Sequence, residues 1–435
     1  MFKVRAVSRC SSSIAGHGEA ILATTFSPSS SSAMVSGSGD STARIWDCDT
    51  GTPVHTLKGH TSWVLVVGWS PDDSTIATGS MDNTVRLWDS QTGQPMGGPL
   101  KGHTKWVSSL AWEPYHLQEP GKPRIASASK DATVRIWDVI SRRIEMVLSG
   151  HKGSVSCVRW GGTGLVYTSS HDKTVKVWNA SNGTLAHTLS SHAHWVNHLA
   201  LSTDFVLRTA YHDHTGDIPL TDTEKRKKAK ERFEKAATIN NTIVERLVTA
   251  SDDFTMYLWE PSSSTKPVAR LLGHQKQVNH VTFSPDGLFI ASAGFDNHVK
   301  LWNARDGKSV NPFPNSLFQS FIPKDTRSGI NQLNHVTDSY PLSEHTSRPS
   351  TRPASLQTHA SSSARPKTRR SKYGKCEHVN WQWIYQVIKT RYMPWIGVRM
   401  GRRSGVGAEI GRSGYGDIRG NYNHRDCSEL LICTF

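Results

Sequence analysis

Histidine, aspartate and serine recur in register along this 435-residue chain. One such set in one cleft can activate a serine for acyl transfer. His17, His60, His103, His151, His192 and His274 each stand upstream of an aspartate: Asp40, Asp82, Asp131, Asp172, Asp253 and Asp296. Ser38, Ser80, Ser129, Ser170 and Ser251 precede the first five aspartates by two residues, and Gly294 takes that place in the sixth. Catalysis needs one constellation in one cleft, so six equivalent copies read as a scaffold and not as an enzyme. The sequence has no GxSxG elbow, HExxH pair or phosphate-cradling glycine loop. The stretch "HTLSSHAHWVNH", from His187 to His198, raises a metal reading. His192 already belongs to the repeated set, and the other three fall on strand ends or turns, so no metal is expected. Six scattered cysteines without a CxxC pair give neither a zinc site nor a disulfide framework. Nothing calls for a cofactor or a small-molecule substrate.

The elements that position these residues also repeat. A tryptophan follows each aspartate by six residues: Trp46, Trp88, Trp137, Trp178, Trp259 and Trp302. "VRLW" and "VRIW" alternate apolar and basic residues, the pattern of a half-buried strand, and turns such as "WSPDD" and "FSPDG" close the preceding strand. A period near 40 with GH and WD marks resembles the WD40 family, whose repeats form four-stranded blades of a β-propeller. The expected fold is therefore all-β: a propeller with six recognisable repeats over residues 1–308. Residues 309–435 are expected to form an irregular, basic, disordered tail.

The WD40 resemblance implies a hydrogen-bonded tetrad of the GH histidine, the aspartate, a strand Ser or Thr and the tryptophan. Ser38, Ser80, Ser129, Ser170 and Ser251 are the expected hydroxyls, and Gly294 should leave the sixth tetrad incomplete. Antiparallel strands place the GH connection and the aspartate turn at one end, the top. Trp63, Trp106 and Trp195 stand three residues after a tetrad histidine. Met81, Lys130, His171 and Phe295 stand immediately before a tetrad aspartate. Aromatic anchors on a rigid rim suit a protein partner, so these seven residues are the expected partner-binding face. The competing reading packs the tryptophans between blades.

Two insertions fall in loops at the opposite end. "EPYHLQEPGKPR" reads as a loop. A helical insertion is expected at about 211–245, with Thr221 or Asp222 as N-cap. Its run "KRKKAK" suggests a nuclear signal, a phosphate-binding surface or simply a solvated helix face. Charge is uneven: residues 309–435 hold 18 Lys and Arg against 8 Asp and Glu, and residues 1–308 hold 33 against 28. Such a tail attracts nucleic acid without a specific site. No apolar run reaches the roughly 18 residues of a membrane helix, and the start "MFKVRAVSRC" lacks a signal-peptide core. A soluble intracellular protein is expected.

Finer details resemble the Notchless family, WD40 assembly factors of the large ribosomal subunit. They are "FKVRAVSRCSSSIAGHGEA", "VRWGGTGLVYTSSHDKTVKVW", "HWVNHLALSTDFVLRTA" and "RLVTASDDFTMYLW". The resemblance runs from Phe2 to Lys308. It implies a nucleolar and nuclear role, contacts with precursor proteins and ribosomal RNA, and an eight-bladed propeller behind a ubiquitin-like domain. In that family a midasin-type remodelling ATPase grips the ubiquitin-like domain. The sequence matches neither that domain nor the last two repeats, which puts engagement of the ATPase in doubt. Phe2–Arg9 is placed to lend a closing strand. A general WD40 adaptor, such as a ubiquitin-ligase receptor or signalling scaffold, is the alternative.

Overall fold

The computed structural model describes residues 12–213, 216–239, 241–310 and 429–432. Six sheets follow one another along the chain, one per repeat. Blade 1 comprises Ile21–Phe26, Ala33–Ser38, Thr42–Asp47 and Thr52–Lys58. Blade 2 has three strands, Val64–Trp69, Thr75–Ser80 and Val85–Asp89. Blade 3 comprises Val107–Trp112, Arg124–Ser129, Thr133–Asp138 and Ile144–Ser149. Blade 4 comprises Val155–Trp160, Leu165–Ser170, Val175–Asn179 and Leu185–Leu189. Blade 5 comprises Val196–Leu201, Leu247–Ser251, Met256–Trp259 and Ala269–Leu271. Blade 6 comprises Val278–Phe283, Phe289–Gly294, Val299–Asn303 and Ser309–Val310. All neighbouring strands within a blade are antiparallel.

The first strand of each blade packs against the first strand of the next, from blade 1 through blade 6. Apolar residues alternate along the strands and meet between blades. Val35, Ile45 and Leu57 of blade 1 join Val64, Val67 and Trp69 of blade 2 in one cluster. Equivalent clusters fill each junction to blade 6. Ile14, on the strand Ser12–Ala15, packs on the outward face of blade 1 with Ile21, Met34 and Trp46. That strand pairs with Glu429–Ile432.

Blade 2 lacks a regular outer strand because of "QPMGGPL". Pro95 and Pro99 have no N–H for a ladder. Two isolated bridges remain, Val85 with Leu100 and Trp88 with Pro95.

The boundary expected at Lys308 moves outward, since Ser309–Val310 completes blade 6. Glu429–Ile432 is a strand where an irregular tail was expected. The closing strand at Phe2–Arg9 and the rest of the tail lie outside the described residues. Helical structure also begins earlier than residue 211. Helix α1 (Asp204–Thr209) follows the inner strand of blade 5 directly, and α2 (Asp222–Ala237) comes after it. Thr221 is the N-cap, its hydroxyl accepting from Glu224 N at 3.3 Å. No helix among the described residues is long and apolar enough to cross a membrane.

Candidate functional site: the tetrads and the rim above them

All six tetrads are present, and the hydroxyl differs from the expected one. Trp Nε1 donates to Ser36, Thr78, Ser127, Thr168, Thr249 or Ser292 at 2.7–3.0 Å. The same hydroxyl lies 2.7–2.8 Å from the histidine Nε2. The histidine Nδ1 lies 2.7–3.0 Å from the aspartate. A carboxylate only accepts, so Nδ1 carries the proton. Nε2 is then the acceptor, and the hydroxyl donates to it while accepting from the tryptophan. Each chain runs Trp, hydroxyl, His, Asp with every proton assigned.

Ser38, Ser80, Ser129, Ser170 and Ser251 are thus corrected: none is a tetrad hydroxyl. Each donates instead to a carbonyl of the GH connection, as Ser129 does to Lys105 O at 2.9 Å. The reason is register. Trp137 pairs across the strands with Ile125. On that face Ser127 is two residues away, about 7 Å, and Ser129 is four away, about 13 Å. Gly294 therefore leaves the sixth tetrad intact, because Ser292 supplies its hydroxyl.

The tetrad aspartates are saturated acceptors. Asp131 also accepts from Thr104 N at 3.1 Å, Thr133 N at 3.0 Å and Thr133 Oγ1 at 2.7 Å. Burial alone would raise Asp40, but hydrogen bonds from Thr42 and His17 lower it to about 2. Asp82, Asp131, Asp172 and Asp253 are held lower still by the same balance. The six hydroxyls are fully buried. No substrate carbonyl can approach them, so the arrangement holds turns in place and does no chemistry.

What the tetrads hold is the rim. Met81 N donates to Trp63 O, Lys130 N to Trp106 O, Asp252 N to Trp195 O and Phe295 N to Gln277 O, at 2.9–3.0 Å. Gly39 with Ala20 and His171 with Ser154 repeat the bond in blades 1 and 4. Residues three after each histidine and one before each aspartate are thus joined backbone to backbone, on one end of the array.

Blades 3 to 5 carry the rim's most connected side chains. Lys130 Nζ lies 4.5 Å from the Trp106 ring centroid. His171 stacks on Trp195 at 4.6 Å and 8°. His194 flanks that indole at 5.3 Å and reaches Asp252 at 3.6 Å. Burial, with Lys130 adding to it, lowers the His171 pKa and favours the neutral ring. Trp195 is 46% exposed, while Trp63, Trp106, Met81 and Phe295 are half-buried. The indole of Trp195 therefore both bridges two blades and faces solvent.

Sequence reasoning missed Phe254. It follows Asp253, is 43% exposed, and has φ +67°. Every residue after a tetrad aspartate is left-handed: Ser41, Asn83, Ala132, Lys173, Phe254 and Asn297. Asparagine tolerates that conformation, whereas a bulky side chain is strained there.

The opposite end is built differently. Glu245, 3% exposed, accepts from Gly162 N, Thr163 Oγ1 and Thr203 Oγ1 at 2.8 Å. Phe233 of α2 stacks on His116 at 5.1 Å, and Tyr115 bonds Asp222 at 2.5 Å. The "KRKKAK" run is largely committed to this packing. Arg226 bonds Asp222 at 2.9 Å and the Gln118 carbonyl, and Lys228 pairs with Asp213 at 3.0 Å. Lys227 and Lys230 are exposed. The four histidines of His187–His198 do not converge. His187 is exposed on a strand, His192 sits in its tetrad, His194 joins the rim and His198 lies against His280.

The pattern described as "WD domain, G-beta repeat" matches residues 8–47, 51–89, 94–138, 142–179 and 265–303. Blade 5, interrupted by α1 and α2, is the repeat it passes over. The chain is 65% identical over 311 residues to Ribosome assembly protein 4 of Chaetomium thermophilum, across 71% of this chain and 60% of that protein. It is 60% identical over 315 residues to the protein of that name from Saccharomyces cerevisiae, across 72% and 61%. It is 49% identical over 313 residues to the Notchless protein homolog of Arabidopsis thaliana, across 72% and 65%. The chain thus spans somewhat under two thirds of the length of these relatives.

Proposed function

The chain is homologous to the Notchless and ribosome assembly protein 4 proteins of the WD40 family, and on that footing we propose that it is a non-catalytic scaffold in large ribosomal subunit assembly. The observation that carries this reading is the 65% identity over 311 residues to a ribosome assembly protein. The rim supplies the means. Trp63, Trp106 and Trp195, with Met81, Lys130, His171 and Phe295, are the partner-binding residues, and Phe254 belongs with them. An exposed indole braced between two imidazoles is a rigid anchor that loses little entropy on binding. The partner is the large-subunit precursor, met through its proteins and ribosomal RNA, in the nucleolus and nucleus. Nothing among the described residues bears on a midasin-type ATPase.

Affinity purification tests the reading. Tagged protein is expected to recover large-subunit precursor proteins and ribosomal RNA. Trp63, Trp106 and Trp195 changed together to alanine should lose that recovery while the melting transition is kept. Recovery of a ubiquitin-ligase core, or undiminished precursor recovery by the triple variant, would reject it.

A further inference from the structure

Exposed lysines crowd onto the rim of two neighbouring blades. The two residues after each tetrad histidine and the two flanking each tetrad aspartate share this end. In blades 3 and 4 these positions hold Lys105, Lys130, Lys152 and Lys173, all exposed. In blades 1, 2, 5 and 6 they hold one lysine, Lys276. The carboxylates at the same end of blades 3 and 4 are Asp131 and Asp172. Their side chains are only 6% and 10% exposed and are held by His103 and His151. What this sector shows to solvent is therefore cationic.

The lysines form one row with the rim's indoles. Lys105 O accepts from Ser129 Oγ at 2.9 Å, next to Lys130, whose ammonium lies 4.5 Å from the Trp106 ring centroid. Ser154 Oγ donates to Lys130 O at 3.4 Å, and His171 N donates to Ser154 O at 2.9 Å. Lys152 N donates to Asp172 at 3.0 Å, which places Lys152 beside Lys173. The His171 ring covers one face of Trp195, and His194 stands at 46° to that indole. Among the described residues no ring lies flat on its second face, and the indole is 46% exposed. A row of ammonium groups beside an open indole face suits an extended polyanion that carries flat rings. In a duplex the bases stack on one another and offer no free face, so the match is to a single strand.

We propose that the rim of blades 3 to 5 binds single-stranded RNA, with a base stacked on Trp195 and phosphates along Lys105, Lys130, Lys152 and Lys173. This rests on the rim being the partner-binding face, and it assigns that sector one partner chemistry, an unpaired stretch of RNA. An acidic peptide answers the lysines alone, whereas a nucleotide answers both the lysines and the ring.

Fluorescence anisotropy of a labelled, unstructured RNA oligonucleotide with the full chain tests it, with unlabelled duplex RNA in excess to occupy the basic residues 309–435. Wild type should still bind the single strand. Trp195→Leu should weaken that binding roughly tenfold, the worth of one base stacked on an aromatic ring, and Trp195→Phe should keep part of it. Lys105, Lys152 and Lys173 changed together to glutamine should lower the slope of log affinity against log salt by about 0.7 per lysine. Those three are surface changes, so they keep the test in place if Trp195→Leu does not fold. Complete displacement by duplex, or undiminished binding by the variants, would overturn the proposal. The scaffold reading is judged separately by precursor recovery. If Trp195→Leu loses precursor proteins from that recovery but binds the oligonucleotide as wild type does, the sector serves a protein segment and the RNA proposal alone fails.

Discussion

Each tetrad hydroxyl is held by a tryptophan N–H on one side and a histidine on the other. Removing it orphans two buried groups at once. Thr168→Val or Ser127→Ala should cost about 1–3 kcal/mol each, measured by urea denaturation. Ser129→Ala, which removes the bonds to Lys105 O and from Asp131 N but leaves the tryptophan and histidine paired, should cost less. Equal losses would mean that the hydroxyl next to the aspartate matters as much as the one under the tryptophan. Asp and Trp were legible because Trp stands six residues after Asp in every copy, and His because Gly, or Ser191 in one copy, directly precedes it. The hydroxyl was not, because Ser127 and Ser129 lie on the same face and only cross-strand register separates them. Three of the six hydroxyls are also threonines, which a search for serine passes over.

Phe254 sets stability against function at the same scale. Its left-handed backbone favours Asn or Gly. Phe254→Asn should raise stability by about 0.5–1 kcal/mol and weaken precursor capture. A variant that binds as well as wild type would remove Phe254 from the rim.

At the scale of elements, inner strands and α1 decide the response to acid. Burial holds His198 and His280 well below their ordinary value, with Arg159 adding to the effect on both. A base whose folded pKa is depressed gives stability that is present above its unfolded value, 6.5, and is lost as the pH falls. Burial raises Asp204 from 3.8 to about 6, which works the opposite way: its contribution is present below 3.8 and lost as the pH rises through 6. Stability should therefore start to fall below about pH 6.5, partly offset by protonation of Asp204 below pH 6. It should fall again below about pH 4 as the tetrad aspartates, depressed in the fold, take protons. Chemical denaturation across pH values from about 2 to 8 reads both steps, and His280→Phe should flatten the first. An unchanged slope in that variant would place the titration elsewhere.

Helix formers and Thr221 made α2 legible. Its role was not, since "KRKKAK" looks like a free basic face until Arg226 and Lys228 are seen turned back onto Gln118, Asp222 and Asp213. A Cβ at Gly162 would lie 2.3 Å from the Phe233 ring. Gly162→Ala should therefore loosen α2, seen as faster amide exchange there with the blades still protected. Slow exchange throughout would mean that the ring relocates freely.

For the whole molecule, the repeats build a row of sheets whose tetrads fix one end as a continuous rim, while α1 and α2 pack the other end. We propose that the rim, and not the basic helix, meets the large-subunit precursor. Lysine footprinting of the protein alone and bound to purified precursor tests this. Lys130, on the rim beside Trp106, should lose reactivity on binding, and the exposed Lys227 and Lys230 of α2 should keep theirs. Protection of Lys227 and Lys230 with Lys130 unchanged would place the precursor on the helix instead of the rim.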